Sequence, residues 1–386
     1  MANYTLMHKH VPVVDVTLMR KLGTITAVHE VHHLSHLPVG VRVVDGCVDT
    51  PGLNAWFNGR SIPASRDQLR DFLEQNIVYN THELLEKCLG LSLSDHYWIN
   101  PKHRPLNWSD VNFFENDFSE DVGNLLFGKT LDGKVDLMSP DNTSDGWLKK
   151  KWKRMAGKRC LIKAGSGVFK QEAYNEVIAS CIMNRLGIRH VPYTLLVQDH
   201  EPFSKCETFV TPNTELVTAW YVMQTKKKQN HISVYQHYLE CCEHLGIPGV
   251  RDEVDQMMVL DYLIGNVDRH QNNFGVIRDV HTLAWLGMAP VYDSGASLWF
   301  DQLTTRIGSD KWLGCKPFKN KHQEQIKLVK SFDWLDLSKL KGLEEDVIEI
   351  FTDSAYIDSS RRDAIVEALK QRIIALQAII NKRKTL

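Results

Sequence analysis

Apolar and polar positions alternate along the first 45 residues in a way that is typical of β-strands. Residues 4–20 and 24–45 are rich in Val, Ile and Thr, and they are interrupted by Gly23 and by a turn at residues 38–40. Because β-branched side chains favour extended backbone, this pattern predicts hairpin strands.

The pattern changes to helical spacing between residues 65 and 89. A first helix is predicted to begin at the capping residue Ser65 and to carry one apolar stripe: Leu69, Phe72 and Leu73. A second short helix is predicted for residues 81–89. The N-terminal region is therefore a mixture of strands and helices.

Residues 91–126 are dense in aromatic and acidic side chains. An Asp-rich segment of this kind is compatible with cation binding. Asp and Ser also cap turns and short helices, and large aromatic side chains stabilise a fold by burial. We therefore predict a structural docking region whose aromatic residues pack together: Trp98, Trp108, Phe113, Phe114 and Phe118.

The middle of the chain predicts a sheet with one long helix. Two strands around a turn are predicted at residues 147–152 and 158–163. A helix follows at residues 171–186 and ends at Gly187, a residue type that readily adopts the left-handed conformation beyond a helix. Two further strands complete this segment: residues 190–198 and 206–210.

Helical spacing dominates after residue 213. The predicted helices are residues 232–245, 250–264, 336–351 and 359–381. A β-hairpin interrupts them, and its predicted arms are residues 274–278 and 288–292. Residues 296–329 are irregular, as an activation segment or a substrate loop would be.

Composition and charge narrow the class of protein. The 386 residues carry a formal net charge of −1, so no broad electrostatic field attracts nucleic acid or anionic membrane, and we expect neither as a direct partner. The eight cysteines are scattered without a C-x-x-C pair, and no apolar run reaches the roughly 18 residues that a membrane helix needs. These features predict a cytoplasmic enzyme with reduced thiols.

The run H-E-V-H-H at residues 29–33 matches the H-E-x-x-H string of zinc proteases. That zinc site requires a helix, because only a helix places both histidines on one face. Here a β-branched run precedes the string and Pro38 follows it, so we predict a strand end or a loop and no metalloprotease site.

The richest chemistry lies between residues 261 and 298. Asp268 stands five residues before Asn273, and Asp293 begins an Asp-Ser-Gly run beyond the predicted hairpin. Protein kinases use an Asp to accept or orient the substrate hydroxyl proton, an Asn on a metal ion and a further Asp on the metal and phosphates. The D-x-x-x-x-N spacing with a later D-x-G therefore predicts a phosphoryl-transfer site.

Upstream residues suit the same chemistry. Lys163 ends a predicted strand, from which it could reach a nucleotide phosphate, and the following helix offers Glu176 or Glu172 as its ion-pair partner. The polar loop at residues 139–146 has a composition that can turn backbone N–H groups towards a phosphate. The segment that begins at Cys206 is a candidate hinge for binding adenine.

The runs N-V-D-R-H-Q-N-N-F-G and A-P-V-Y-D-S-G-A-S-L resemble the catalytic signature of the HipA-like serine/threonine kinases, which include toxin kinases of bacterial toxin–antitoxin systems. The resemblance extends over residues 146–318. It implies an α+β, two-lobed protein-kinase-like fold. The implied division is an accessory α/β region at residues 1–130, a β-rich N-lobe at residues 131–212 and a mainly helical C-lobe at residues 213–386.

The resemblance also implies roles for individual residues. Asp268 corresponds to the catalytic base, Asn273 and Asp293 to the Mg²⁺ ligands, and Lys163, braced by Glu176, to the ATP lysine. Glu207 and Phe209 correspond to the adenine contacts, and His270 and Tyr292 correspond to residues that line the nucleotide. Gly146 and Lys150 correspond to the Gly-x-x-x-Lys of the phosphate loop. The implied cofactors are ATP and Mg²⁺.

The implied substrate is a protein. By analogy with family members, an aminoacyl-tRNA synthetase is a candidate target and an antitoxin is a candidate partner. Autophosphorylation is expected in the loop before Gly146, at one of three hydroxyl residues: Ser139, Thr143 or Ser144.

The chain departs from the family in two respects. Residues 1–130 do not match the N-terminal region of the toxin kinases, and Arg269 and His270 follow the acid, whereas typical kinases place His and Arg before it.

Two other classes of protein stay open at this point. A nucleotide-binding pseudokinase or scaffold would keep the fold and lose the transfer activity, but every polar group needed for catalysis is present in the sequence. A metal-dependent hydrolase built on Asp268, His270 and Asp293 would need further histidine or carboxylate ligands in the same cleft.

Overall fold

The computed structural model describes residues 1–19, 22–63, 80–129 and 135–384. Within these ranges, the pairings between successive sheet strands are antiparallel, and the helices pack against the sheets as separate layers. This arrangement is α+β, as the sequence predicts. The first predicted helix, at Ser65 with Leu69, Phe72 and Leu73, lies outside the described residues.

The N-terminal part begins with three strands, β1 (Ala2–His8), β2 (Val11–Met19) and β3 (Thr24–Val31), which form the predicted hairpins. The turn predicted at residues 38–40 is present, since Gly40 has a φ of +89°. The extended backbone predicted on either side of it is interrupted by a 3₁₀ turn at Leu34–His36 and returns only as the two-residue strand Val43–Val44.

The next elements complete this N-terminal sheet. Two-residue strands β4 (Val43–Val44) and β5 (Cys47–Val48) pair with each other, and helix α1 (Thr50–Asn58) packs on β3. Helix α2 (Thr81–Lys87) confirms the second predicted helix, and strand β6 (Tyr97–Pro101) closes the sheet in the order β3-β2-β1-β6. The core of this part includes Leu6, Val14, Leu18, Trp56 and Phe57.

The aromatic segment packs as predicted. It contains the short helices α3 (Trp108–Val111) and α4 (Asp121–Leu126). Its predicted aromatic residues are all buried in one cluster, together with Val210 from the middle of the chain: Trp98, Trp108, Phe113, Phe114 and Phe118. This cluster joins the N-terminal sheet to the middle of the chain.

A second sheet and one long helix form the middle of the chain. The sheet order is β7-β8-β10-β9, with β7 (Lys150–Met155), β8 (Lys158–Ala164), β9 (Tyr193–Gln198) and β10 (Glu201–Glu207). Helix α5 (Glu172–Leu186) packs on β9 and β10 and ends at Gly187, which has a φ of +72°.

Two predicted strand positions in this sheet are wrong. The strand predicted from residue 147 begins at Lys150, after a turn in which Gly146 has a φ of +90° and Trp147 is half exposed. The strand predicted at residues 206–210 instead runs over Glu201–Glu207. Asp199 and His200 both have positive φ, so they form the tight turn between β9 and β10.

The C-terminal part combines a third sheet with most of the helices. Strand β11 (Thr214–Thr218) was not predicted, because the spacing pattern favoured helices from residue 213 onwards. Helices α6 (Ala219–Met223), α7 (Val234–Leu245) and α8 (Val250–Ile264) follow. The predicted hairpin is present, and its first arm is β12 (Gly275–Asp279). The prediction of its second arm at residues 288–292 is wrong, because β13 runs over Trp285–Met288, and β11 pairs with the β12 edge.

Residues 296–329 contain 3₁₀ turns and the one-turn helix α9 (His322–Gln325), in keeping with their predicted irregularity. The helix predicted at residues 336–351 is shorter, since α10 (Leu343–Ile350) starts only after Gly342, which has a φ of +80°. Helix α11 (Ser359–Lys384) closes the chain against α8. None of the helices in the described ranges is both long and apolar enough to cross a membrane.

A buried charge network links the first and third sheets. The Glu215 carboxylate on β11 is 1% exposed, and it lies 3.0 Å from Nε2 of His8 on β1 and accepts a 2.7 Å hydrogen bond from Nε of Arg278 on β12. Arg278 also donates to the Tyr97 hydroxyl on β6 at 3.0 Å. Burial raises the pKa of Glu215, but the positive charges of Arg278 and His8 outweigh it and lower the pKa to about 2.

Candidate active site

Lys163 is the centre of a buried ion network between the second sheet and the C-terminal part. From β8, its Nζ lies 2.9 Å from Oε1 of Glu176 on α5 and 2.8 Å from Oδ1 of Asp293. The other candidate partner, Glu172, instead accepts a 3.0 Å hydrogen bond from the backbone N–H of Ser166. The structure therefore brings together Lys163, Glu176 and Asp293.

Lys163 and Asp293 hold each other in their ionised forms, whereas burial raises the pKa of Glu176 despite its contact with Lys163. Burial lowers the pKa of Lys163, but the carboxylates of Asp293 and Glu176 outweigh burial and raise it well above the ordinary value. Burial raises the pKa of Asp293, but the charges of Lys163 and Lys150 outweigh it and lower that pKa below its usual range. The site therefore presents a lysine ammonium beside a carboxylate over a wide pH range.

Lys150 and Gly146 face the same site. Lys150 on β7 lies directly opposite Lys163 on β8, and opposed residues in an antiparallel pair point to the same face. A Cβ added at Gly146 would lie 2.8 Å from Nζ of Lys150, and the φ of +90° is also unfavourable for other residues. The chain therefore needs glycine where the loop passes over Lys150.

The candidate catalytic loop follows the left-handed Gly265 at the end of α8. Asp268 is one-third exposed, and its carboxylate lies 2.8 Å from Nζ of Lys316 and 3.8 Å from Nε2 of His270. Nδ2 of Asn273 donates to the Asp268 carbonyl at 2.9 Å. This bond fixes the orientation of the Asn273 amide through its nitrogen. The amide oxygen, Oδ1, is the atom of this side chain that is suited to a metal ion.

A buried ion pair holds this loop, and sequence reasoning missed it. Asp261 and Arg269 are both fully buried, and Nη2 of Arg269 lies 3.1 Å from Oδ1 of Asp261. The same guanidinium donates to the carbonyls of Asn273 and Tyr292 and, at 2.9 Å, to the Ser294 hydroxyl. One arginine thus ties the loop that contains Asp268 to the run that begins at Asp293.

A signal for this pair was present in the sequence. Asp261 interrupts the apolar surroundings of α8, and a carboxylate inside an apolar helix needs a cation or several donors. The sequence interpretation treated Asp261 as part of the helix alone. Lys316, which contacts Asp268, was also missed, because it lies in an irregular segment 48 positions away along the chain.

The Asp-Ser-Gly run is held in a strained turn by α5. Asp293 has a φ of +56°, and the Ser294 N–H donates to Oε2 of Glu176 at 2.9 Å. The Gly295 carbonyl accepts from Nδ2 of Asn175 at 2.9 Å, and a Cβ at Gly295 would lie 3.0 Å from a helix carbonyl. Glu176 therefore bonds both to Lys163 and to the backbone beside Asp293.

The candidate hinge borders the same cavity. Phe209 and Tyr292 stack with 5.3 Å between their ring centroids and 29° between their planes. The Glu207 carboxylate points outwards to Lys158, 2.7 Å away, although Glu207 still lines the cavity. The chain has left strand β10 by Phe209, so this segment lies beside the cavity outside the sheet.

These residues surround one cavity of about 560 Å³. The residues predicted from the sequence that line it are Gly146, Lys150, Lys163, Glu207, Phe209, His270, Asn273, Tyr292, Asp268, Asp293, Thr143 and Ser144. Glu176 stands behind Lys163, outside the lining. Residues of the N-terminal part, including Val39, Trp56 and Arg60, also form its wall.

The three candidate autophosphorylation residues differ in their surroundings. Ser139 is fully buried, does not line the cavity and bonds to the Asp141 carboxylate at 3.2 Å. Thr143 donates to the Leu91 carbonyl at 2.9 Å, and Ser144 donates to the Asp141 carbonyl at 2.9 Å. Only Thr143 and Ser144 border the cavity, so the structure separates them from Ser139.

The H-E-V-H-H string does not form the helix that a zinc protease requires, since residues 24–31 form strand β3. In the described part of the chain, a cluster of three or more potential metal-ligating His, Cys, Asp or Glu side chains occurs only at Asp15, Glu30 and His32, away from the cavity. The Asp15 carboxylate already binds Lys102 and Thr5. Among the described residues, Asp268, His270 and Asp293 do not form such a cluster.

The architecture and this arrangement of side chains define a protein-kinase-like fold. The chain is similar to a protein in the complex described as the Shewanella oneidensis MR-1 toxin–antitoxin system HipA, HipB and its operator DNA, with a TM-score of 0.53 and 11% identity over 96% of each chain. It is also similar to the Helicobacter pylori proinflammatory kinase CtkA, with a TM-score of 0.46 and 16% identity, over 61% of this chain and 95% of that one.

A family model of the HipA-like C-terminal domain matches residues 133–369, which is more than half of the chain, and the protein belongs to this family. No curated protein matches the sequence significantly. The family and the kinase-like fold predicted from the sequence are thereby confirmed. The likeness to the Shewanella structure covers nearly the whole chain, so it extends into the N-terminal region that the sequence resemblance did not reach.

Proposed function

We propose that this chain is an ATP- and Mg²⁺-dependent serine/threonine protein kinase of the HipA-like type. The observation that carries the proposal is the contact of Lys163 with both Glu176 and Asp293, in a cavity that Asp268 and Asn273 also line. Phosphoryl transfer is mainly positioning and charge stabilisation, and this set supplies both.

The nucleotide would lie between two lobes, which we propose to be residues 131–212 and 213–386, with residues 1–130 as an accessory region. Lys150 and Lys163 would neutralise phosphate charge, since both ammonium groups face the cavity. The stacked rings of Phe209 and Tyr292 would border the adenine. The backbone near Glu207 and the imidazole of His270 would complete the nucleotide contacts.

The cavity has a donor set that suits Mg²⁺. Magnesium prefers hard oxygen ligands and is commonly bound through one or two carboxylates together with substrate phosphates. The Asp293 carboxylate and the Oδ1 of Asn273 would hold the ion, which would supply charge neutralisation for the phosphates. The bond from Asn273 Nδ2 to the Asp268 carbonyl supports this orientation of the amide.

Asp268 would act on the acceptor hydroxyl. In the transfer step, the hydroxyl gives its proton to the Asp268 carboxylate while its oxygen forms a bond to the γ-phosphorus. The bond from that phosphorus to the bridging oxygen of the β-phosphate breaks, and ADP leaves with the electron pair. The partly exposed position of Asp268 in the cavity supports access by a protein side chain.

We also propose autophosphorylation in the loop before Gly146, with Thr143 or Ser144 favoured over Ser139 because only these two border the cavity. A protein substrate, with an aminoacyl-tRNA synthetase as one candidate, and an antitoxin partner complete the proposal. The antitoxin is supported by the HipA–HipB complex of the Shewanella relative. Intact-mass spectrometry of protein purified with and without co-purifying chains tests both the modification and the partner.

The central test is incorporation of radiolabel from [γ-³²P]ATP by the wild type, Asp268→Asn and Asp293→Asn. Loss of one group of the transfer site is expected to lower the rate by at least 100-fold. Asp301→Asn is the matched control, because Asp301 is exposed and does not line the cavity. Equal labelling of all variants, or no labelling of any, would refute the proposed function. Calorimetric ATP binding without any transfer would favour the pseudokinase alternative.

A further inference from the structure

Lys316 makes a direct contact with the proposed base that the family resemblance does not assign. Its Nζ lies 2.8 Å from Oδ1 of Asp268, and its half-exposed side chain lines the cavity. His270 approaches the other carboxylate oxygen, Oδ2, at 3.8 Å. The two oxygens of Asp268 are thus distinguished, since one is bound by an ammonium group and the other faces a more distant imidazole.

The backbone on either side of Lys316 is anchored. Gln325 is 1% exposed, and its Nε2 donates to the Lys316 carbonyl at 2.8 Å. Its Oε1 accepts from the N–H groups of Phe318 and Lys319, at 3.0 and 3.2 Å. One buried amide therefore uses both its donor and its acceptor to hold this turn.

Phe318 anchors the same turn in the main core. Its ring is buried and packs edge-on against Tyr235 and Phe274, with centroids 5.1 and 6.0 Å apart. Phe274 directly follows Asn273, so the turn that carries Lys316 rests on the end of the candidate catalytic loop. The root of the Lys316 side chain is therefore fixed relative to Asp268, and its Nζ reaches the Asp268 carboxylate.

The other lysines of the cavity contact different groups. Lys163 binds Glu176 and Asp293, and Lys150 lies opposite Lys163 on the neighbouring strand. Lys319 is three residues from Lys316 but has no carboxylate partner among the residues that the structure describes. The ammonium group observed at the Asp268 carboxylate is that of Lys316.

We propose that Lys316 is the positioning residue of Asp268, a role that rests on the proposed kinase function. By binding Oδ1, it holds the carboxylate plane and turns Oδ2 towards the acceptor hydroxyl. When Asp268 takes the hydroxyl proton, its negative charge is lost and the ammonium is released from the ion pair.

The experiment compares wild type, Lys316→Ala and Lys316→Arg, with Lys319→Ala as the matched control. General-base catalysis contributes about 10²- to 10⁴-fold, and a base that is present but poorly oriented loses part of it. Lys316→Ala is expected to lower the maximal labelling rate from [γ-³²P]ATP by about 10- to 100-fold. The calorimetric affinity for ATP with Mg²⁺ is expected to stay unchanged, because Lys316 contacts neither Lys163 nor Asp293.

Chemical rescue separates positioning from a structural role. Since the Lys316 side chain is half exposed, a small alkylammonium ion such as propylammonium can enter the space left by Lys316→Ala. Added propylammonium is expected to restore part of the rate, whereas propanol is not. Lys316→Arg is expected to retain more activity than Lys316→Ala, and Lys319→Ala is expected to match the wild type.

The outcomes are distinguishable from failure of the proposed function. If the wild type transfers phosphate, Asp268→Asn does not, and Lys316→Ala equals the wild type, the positioning role alone is overturned. A parallel loss of ATP affinity in Lys316→Ala without rescue by propylammonium also overturns it, since that pattern indicates a structural role. A wild type that transfers no phosphate overturns the kinase function and this role together.

Discussion

The ion pair of Asp261 and Arg269 is expected to dominate the stability of the candidate catalytic loop. Both side chains are fully buried, and Arg269 contacts the Asp261 carboxylate, two backbone carbonyls and one hydroxyl. Replacing Arg269 with Met would remove all of these bonds and leave a buried carboxylate without its cation. Breaking a buried pair in this way costs about 3–5 kcal/mol, against about 1 kcal/mol for an average substitution.

The measurement is urea unfolding followed by the fluorescence of the ten tryptophans. Arg362→Met is the matched control, because its ion pair with Asp363 lies at the surface and is expected to contribute less than about 1 kcal/mol. The double variant Asp261→Asn/Arg269→Met removes the uncompensated charge. It is expected to lose less stability than the sum of the two single variants, which gives a direct coupling energy.

Two results would contradict this reasoning. The first is an Arg269→Met variant that is as stable as Arg362→Met, and the second is strict additivity in the double variant. Below the temperature at which Arg269→Met unfolds, its ATP affinity is also expected to fall. Arg269 joins the Asp268 loop to the backbone beside Asp293, so its loss would weaken the contact between these two segments.

Two further predictions concern the sheets around the site. Because the pKa of Glu215 is lowered to about 2, its contribution is fully present above the unfolded value of about 4.5 and is lost as the pH falls towards 2. The wild type is therefore expected to lose roughly 3 kcal/mol of its stability advantage over Glu215→Gln across that pH range, measured as the free energy of unfolding in urea. A difference in the free energy of unfolding that stays constant with pH would contradict the lowered pKa of Glu215. Gly275→Ala is expected to lower the unfolding temperature, since its Cβ would lie 2.3 Å from a carbonyl of the neighbouring strand. Gly314→Ala is the control, because a Cβ there would have open space and the unfolding temperature is expected to stay unchanged. Equal unfolding temperatures for the two variants would show that the strand pair can shift.

Sequence spacing predicted the local parts of the candidate site. Asp268, Asn273 and Asp293 lie on short segments whose order along the chain is enough to place them near one cleft, and all three line the cavity. Lys163 and Glu176 were also paired correctly as neighbours in space, because a strand followed by a helix that packs on it is a local unit. Of these five residues, Asp268 and Asp293 are the two whose roles the labelling experiment tests.

The parts that sequence reasoning missed depend on contacts between distant segments. Lys316 reaches Asp268 only because a buried glutamine and a core phenylalanine fix its turn, and neither has a spacing pattern. Strand β11 spans only five residues, so its period of two was too short to compete with the helical pattern that follows. Sequence reasoning also missed that residues of the N-terminal region form part of the cavity wall, because this depends on how the sheets pack against one another.

The network around Glu215 has a consequence for the order in which the chain is made. The strands of the N-terminal sheet all lie within residues 2–101, whereas Glu215 is added 207 residues after His8. At about 5–20 residues per second, the ribosome needs roughly 10 to 40 seconds to cover that distance. The first sheet thus has time to form around a histidine whose carboxylate partner has not yet been synthesised. When β11 is added, it packs this surface against the C-terminal part.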